Sequence, residues 1–235
     1  MTATLLSLHP FPQTILDRVF GPFARTTDFV TVNCMEALVE RSGLRQAKVF
    51  ICDYDVTLTT LHHSLSLDMA RALIDLLEKH QRELVILTSK WLNDIEADLK
   101  GGYKGQGVHF LSMLPQGTAV TVICRFFDQE IKKTGAKAYR YTSCEERLAV
   151  DGLDTIFDDV MKKHQESRRT TGAVFAKDEA IRCYLKGKGL SVREVIYFGD
   201  SFRIGGSDLP VLDVDGITAI QVKAAHETLE MLSRC

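Results

Sequence analysis

The sequence carries almost no net charge: 29 Lys and Arg stand against 31 Asp and Glu, a formal −2 at pH 7 over 235 residues. So balanced a chain gives no electrostatic reason to expect nucleic acid or an acidic membrane as its main partner. Long apolar runs are missing too, and every run falls far short of the ~20 residues that span a bilayer. Residues 1–6 lack a basic flank and a long apolar segment, so no signal peptide is expected. The six cysteines (Cys34, Cys52, Cys124, Cys144, Cys183 and Cys235) are scattered without paired metal-ligand spacing. Cys52 and Cys124 lie in apolar, strand-like runs where reduced core thiols are the expectation. A cytoplasmic, reducing setting follows. Gly101, Gly102, Gly105 and Gly107 are followed by no Lys-Ser/Thr at the required spacing, so they form a flexible link and not a phosphate-binding loop. There is no internal repeat and no low-complexity tract.

What is present is an ordinary globular composition, 45% hydrophobic and 26% charged, long enough for one domain or one domain with a large insertion. The stretch Val49-Phe50-Ile51-Cys52-Asp53-Tyr54-Asp55-Val56-Thr57 organises the rest. Its apolar run is too short for a helix and reads as a strand buried on both faces, as in a parallel sheet. Ligands of open α/β sheets bind beyond the carboxyl ends of the strands, which puts Asp53 and Asp55 at the chemistry. Two carboxylates there repel each other unless a cation or a proton lies between them. Hard oxygen ligands favour magnesium, and one of them can also attack an electrophile.

In chain order, residues 1–46 read as an extension packed on the core, broken by Pro10, Pro12 and Pro22. A short helix is expected over 13–20, and a second over 34–41, capped by Asn33 and ended near Gly43. Leu58 to Ser66 is loop-like. Ser66 or Asp68 then caps a helix on which Met69, Leu73, Leu76 and Leu77 recur at helical spacing. Residues 84–89 form a second buried strand ending in Thr88 and Ser89, which completes a β-helix-β crossover. From about 91 to 172 the texture changes to short strands (108–114, 119–126, 137–142, 148–150) with helices around 128–133 and 153–164. This mixture predicts a small α+β insert, with 167–172 as the return hinge. The core resumes with Lys177, a helix over 178–186 stopped by Gly187-Lys188-Gly189, and a third strand, 194–198, running into Gly199-Asp200-Ser201. A fourth strand, 217–222, and a closing helix, 224–232, follow.

Three strands thus end in reactive side chains, and a lysine precedes the third. This order resembles the four motifs of the haloacid dehalogenase-like superfamily, mostly magnesium-dependent phosphatases and phosphomutases. Asp53-Tyr54-Asp55-Val56-Thr57 matches the first motif, Thr88 the second and Lys177 the third. Gly199-Asp200-Ser201-Phe202-Arg203-Ile204-Gly205-Gly206-Ser207-Asp208-Leu209-Pro210 matches the fourth, and its ending is similar to that of phosphomannomutase-type members. The resemblance covers roughly residues 47–222. It implies Asp53 as nucleophile and metal ligand, and Asp55 as general acid and then base, its main-chain carbonyl on the metal. That role needs a raised pKa, which an anionic neighbour supplies. Asp200 would be the metal's second carboxylate, Asp208 would complete its shell or orient its waters, and Thr88 and Lys177 would hold the phosphoryl group. The bland readings are a solvated lysine at a helix start, a helix cap for Asp208 and a plain strand end for Thr88. The family usually has glycine where Val56 stands; a valine there is strained if its φ is positive.

The insert falls between the second and third motifs, as in type 2-capped members, whose caps close over the sheet edge. The expected fold is therefore a three-layer α/β parallel-sheet core (47–95 and 173–235) with an inserted α+β cap (96–172). The expected function is a magnesium-dependent phosphatase acting on a small phosphomonoester, by analogy a sugar phosphate. A phosphomutase and a non-catalytic binding protein are the alternatives, and residues 1–46 offer a surface for a protein partner. His62 and His63 read as a solvated loop pair, Asp158 and Asp159 as a wet face, and Trp91 as hinge packing. Arg125, Arg140 and Arg147 are surface positions, any of which can grip a second anionic group.

Overall fold

A computed structural model describes residues 2–10, 26–60, 64–102, 107–130, 133–143, 146–150, 156–157 and 177–235. The strands are β1 (Ala3–Ser7), β2 (Thr27–Thr31), β3 (Val49–Cys52), β4 (Glu83–Trp91), β5 (Ala119–Asp128), β6 (Lys133–Thr142), β7 (Arg147–Ala149), β8 (Ile156–Phe157), β9 (Val195–Gly199) and β10 (Thr218–Gln221). They form one sheet in the order β2-β1-β10-β9-β3-β4-β5-β6-β7, with β8 beside β6. Neighbours from β2 through to β5 pair in parallel, and β6 pairs antiparallel with β5, β7 and β8. The α-helices are α1 (Met35–Ser42), α2 (Leu67–Glu78), α3 (Leu92–Leu99), α4 (Phe110–Met113), α5 (Lys177–Lys188) and α6 (Ala225–Leu232).

Strand alternation builds the three layers. Phe50, Leu84, Ile86, Ile196, Phe198 and Ile220 face one core with α1, α2 and α6. Val49, Ile51, Val85, Leu87, Tyr197 and Ala219 face the other, under α5 and the 3-10 turn Leu209–Asp213. Both sides of the central strands are covered, hence their unbroken apolar runs. From β3 the chain steps one way to β4 and β5 and later the other way to β9 and β10. That makes the carboxyl end of β3 the switch point of the sheet.

Several elements differ from the sequence expectation. Residues 3–7 and 27–31 are strands that widen the sheet, where only a packing extension was expected; five-residue segments carry too few positions to show a period. The helix cap of α1 is Cys34, not Asn33, and Gly43 closes it in the left-handed region. Residues 110–113 are a helix, with the His109 ring accepting from the Ser112 N–H. Of the helix expected over 128–133, Asp128 instead ends β5 and Lys133 opens β6, the two paired antiparallel, and residues 131–132 lie outside the described residues. β5 lies against β4 in the core sheet, so the insert's strands prolong that sheet. Most of the helix expected over 153–164 lies outside the described residues, but Ile156–Phe157 is a strand. The helix over 13–20, the hinge at 167–172, His62, His63, Asp158 and Asp159 also lie outside them. Among the described residues no helix is long and apolar enough to cross a membrane.

Candidate active site

Asp53 follows β3 directly, and its N–H still bonds the Phe198 carbonyl at 2.9 Å, so the sheet fixes where its carboxylate begins. The chain then folds over sharply: the Leu58 and Thr59 N–H groups both reach back to the Tyr54 carbonyl. Val56 takes φ 66° in this turn. The valine at the position of the family's glycine therefore does carry the strained geometry. A β-branched residue costs about 1–2 kcal/mol there.

Lys177, at the first position of α5, is completely buried. Its Nζ lies 2.7 Å from Asp53 Oδ1 and 2.5 Å from Asp208 Oδ1. A solvated helix-start lysine is thus ruled out. Asp208 makes no cap to the turn that follows it. Instead its Oδ1 also accepts from the Tyr197 hydroxyl at 2.6 Å, and its Oδ2 accepts from the Asp200 and Ser201 N–H groups at 2.9 and 2.8 Å. A Cβ on Gly199 would stand 2.5 Å from that Oδ2. Only glycine allows the fourth-motif loop to wrap the carboxylate this closely. Tyr197 was missed by sequence reasoning because a tyrosine inside an apolar strand reads as core.

One carboxylate oxygen each of Asp53, Asp200 and Asp208 lies within 4.8 Å of the others. Burial, with the charge of Asp208 second, pushes Asp200 up to about 6. Burial also raises Asp53, against the pull of Lys177. In Asp208, burial is outweighed by Lys177 and the hydrogen bonds, and its pKa is lowered. The pocket thus holds more carboxylate than Lys177 neutralises. Hard oxygens with uncompensated charge fit a divalent cation. The oxygens of Asp208 are committed to Lys177, Tyr197 and two N–H groups, so Asp208 ties the site together.

Thr88 is buried at the carboxyl end of β4, and its Oγ1 accepts from the Lys90 N–H at 3.2 Å. Its own proton remains to donate. Asp55 stands apart from the cluster of three. Its neighbour is a cation: Lys90 Nζ lies 3.0 Å from Asp55 Oδ1 and 2.5 Å from Asp98 Oδ2. Burial works against the Lys90 charge, but Asp98 and Asp55 outweigh it and raise the pKa of Lys90. Neither Lys90 nor Asp98 was singled out from sequence; the only signal was a lysine two positions beyond Thr88. Trp91 is 40% exposed, not packed in a hinge. The Arg125 guanidinium lies 4.6 Å from its ring centre. Arg147 pairs with Glu96 at 2.9 Å, and Arg140 lies toward the far edge of the sheet.

No family model matches the chain, and no curated protein matches it in sequence. Its structure is similar to Plasmodium falciparum IMP-nucleotidase. An IMP-bound mutant of that protein matches with TM-score 0.62 and 13% identity over 85% of this chain and 70% of that one. An N-terminally truncated form matches with TM-score 0.56 and 13% identity over 85% and 74%. At such identity the likeness is one of fold. The sheet order, with Asp53, Thr88, Lys177 and Asp200 gathered at its carboxyl edge, is an α/β fold that this chain shares with that nucleotidase.

Proposed function

We propose that the chain is a magnesium-dependent phosphatase that hydrolyses a small phosphomonoester through an aspartyl-phosphate. The observation that carries this is the buried Asp53–Lys177–Asp208 arrangement, with Asp200 beside it, at the switch point of the sheet. Asp53 and Asp200, with the Asp55 carbonyl, would hold the metal, and Asp208 would support them from behind. When bound, magnesium supplies charge neutralisation for the phosphoryl oxygens. Asp53 attacks phosphorus, the bond to the ester oxygen breaks, and Asp55 gives that oxygen its proton. Asp55 then takes a proton from water, whose oxygen attacks phosphorus and frees Asp53 with inorganic phosphate. Thr88 and Lys177 grip the oxygens of the transferring group. Lys90 keeps the Asp55 carboxylate in place. A cap over this edge, which excludes water during transfer, would be carried by residues 96–172 beyond the strands that join the sheet.

Two substrate classes fit. A sugar phosphate follows from the sequence resemblance. A nucleoside monophosphate is favoured by the exposed Trp91 ring and Arg125, which form a planar, cationic platform three residues beyond Thr88. The structural likeness to an IMP-nucleotidase supports the second class. Phosphate release from a panel of both classes, with and without magnesium, tests the proposal. Release that needs magnesium and disappears in Asp53→Asn is the expected result. Transfer of phosphate between sugar positions without release would instead identify a mutase, and no reaction with any ester would identify a binding protein. A Trp91→Ala loss confined to nucleotides would select that class.

A further inference from the structure

A second cleft opens at the opposite edge of the sheet from Asp53. It encloses about 420 Å³ between the turn after α2, the first residues of β4 and β5, Arg140 of β6 and Lys188 in the last turn of α5. That volume lies in the ~300–1,000 Å³ range of small-molecule sites. From Glu83, at its rim, to Thr88 is five steps along β4, about 16 Å at the rise of a strand. The cleft is therefore separate from the catalytic pocket.

Its lining is cationic. Arg82, Arg140 and Lys188 face Glu78 and Glu83, a balance of 3 − 2 = +1. Glu83 is already engaged, accepting from the Tyr184 hydroxyl at 2.6 Å and pairing with Lys188 at 3.2 Å. One Arg82 nitrogen donates to the Arg45 carbonyl at 2.6 Å, which fixes that guanidinium at the edge of the cleft. The Arg140 guanidinium lines the cleft close enough to Glu83 and Tyr184 for its charge to act on both. Gln116 and Thr121 add neutral donors and acceptors. Gln81, on the rim, stands in the left-handed region at φ 50°, and such a conformation is kept more often at ligand sites than elsewhere.

We propose that this cleft binds a phosphorylated small molecule, with the Arg82 and Arg140 forks on the phosphate and Gln116 and Thr121 on its hydroxyl groups. The ligand would join the near ends of β4 and α5, whose far ends carry Thr88 and Lys177. It would thus act as an effector of the catalytic edge, not as its substrate.

Calorimetric titration with glucose 6-phosphate and, separately, inorganic phosphate tests this on the full chain carrying Asp53→Asn, which prevents turnover of the probe. Adding Arg140→Glu is expected to weaken one binding event tenfold or more, as loss of a charged hydrogen bond does. Arg82→Gln, which keeps a donor for the Arg45 carbonyl, is expected to weaken the same event. Tighter binding of the sugar phosphate than of phosphate assigns the ligand to phosphorylated metabolites, and equal binding assigns it to free phosphate. Affinities unchanged in both arginine variants, or no binding of either probe, would overturn the proposal.

Discussion

Lys177 and Val56 show how differently single residues can be held at one site. Lys177 is wholly buried between two carboxylates, so its removal strands Asp53 and Asp208 with no countercharge. Breaking a buried pair in this way costs about 3–5 kcal/mol. We expect Lys177→Met to lower the unfolding free energy from urea titration by that amount and to abolish phosphate release. A small stability change would mean that Asp208 is held mainly by Tyr197 and the loop N–H groups. Val56 is the reverse case, a residue that the backbone does not suit. Val56→Gly relieves about 1–2 kcal/mol of strain but restores about 0.5–1 kcal/mol of unfolded-chain freedom. A net gain on the order of 0.5–1 kcal/mol in chemical denaturation is expected. A loss of stability would show that the Val56 side chain has contacts worth more than its strain.

At the scale of elements, β4 and α5 each link an end at the candidate site to a distant anchor. Glu83 ties the start of β4 to Tyr184 and Lys188 of α5. Burial raises its pKa, but the Tyr184 hydrogen bond and Lys188 outweigh that and bring it below the ordinary value. A carboxylate lowered in the folded state stabilises it above the unfolded pKa, and this is lost as pH falls through the folded value. Wild type should therefore lose more stability than Glu83→Gln between pH 5 and about pH 3, read from urea midpoints. Glu83 is half exposed, so the difference at neutral pH stays under about 1 kcal/mol. Parallel pH curves for the two proteins would show the contacts to be without effect. These elements were also the legible ones. Strands β3, β4 and β9 announce themselves by unbroken apolar runs, and all three end in residues of the candidate site. What sequence could not give is what those residues touch. Lys90 reaches Asp55 only because β4 runs on past Thr88 through a register shift. Where the insert parts from the core is hard to read for the same reason, since β5 looks like any short strand until its partner is known.

For the whole molecule, the described elements ahead of β3, namely β1, β2 and α1, belong to the fold and do not merely decorate it. Leu5, Leu6, Leu38 and Val39 are all buried. At about 1.5–3 kcal/mol for each such side chain, they contribute as much as a domain's entire net stability of about 5–15 kcal/mol. A chain beginning at residue 47 should be insoluble or show no cooperative thermal transition; a folded, active truncation would make the first strands dispensable. The pairing of Thr4 with Thr218 has a further result. As the polypeptide leaves the ribosome, β1 emerges well before its inner neighbour β10, which lies at the other end of the sheet's connectivity. Until then one side of β1 has no strand beside it, and closing so long a loop is intrinsically slow. Assembly of this sheet therefore waits until β10 has emerged, and the interval before that is when the nascent chain depends most on chaperones.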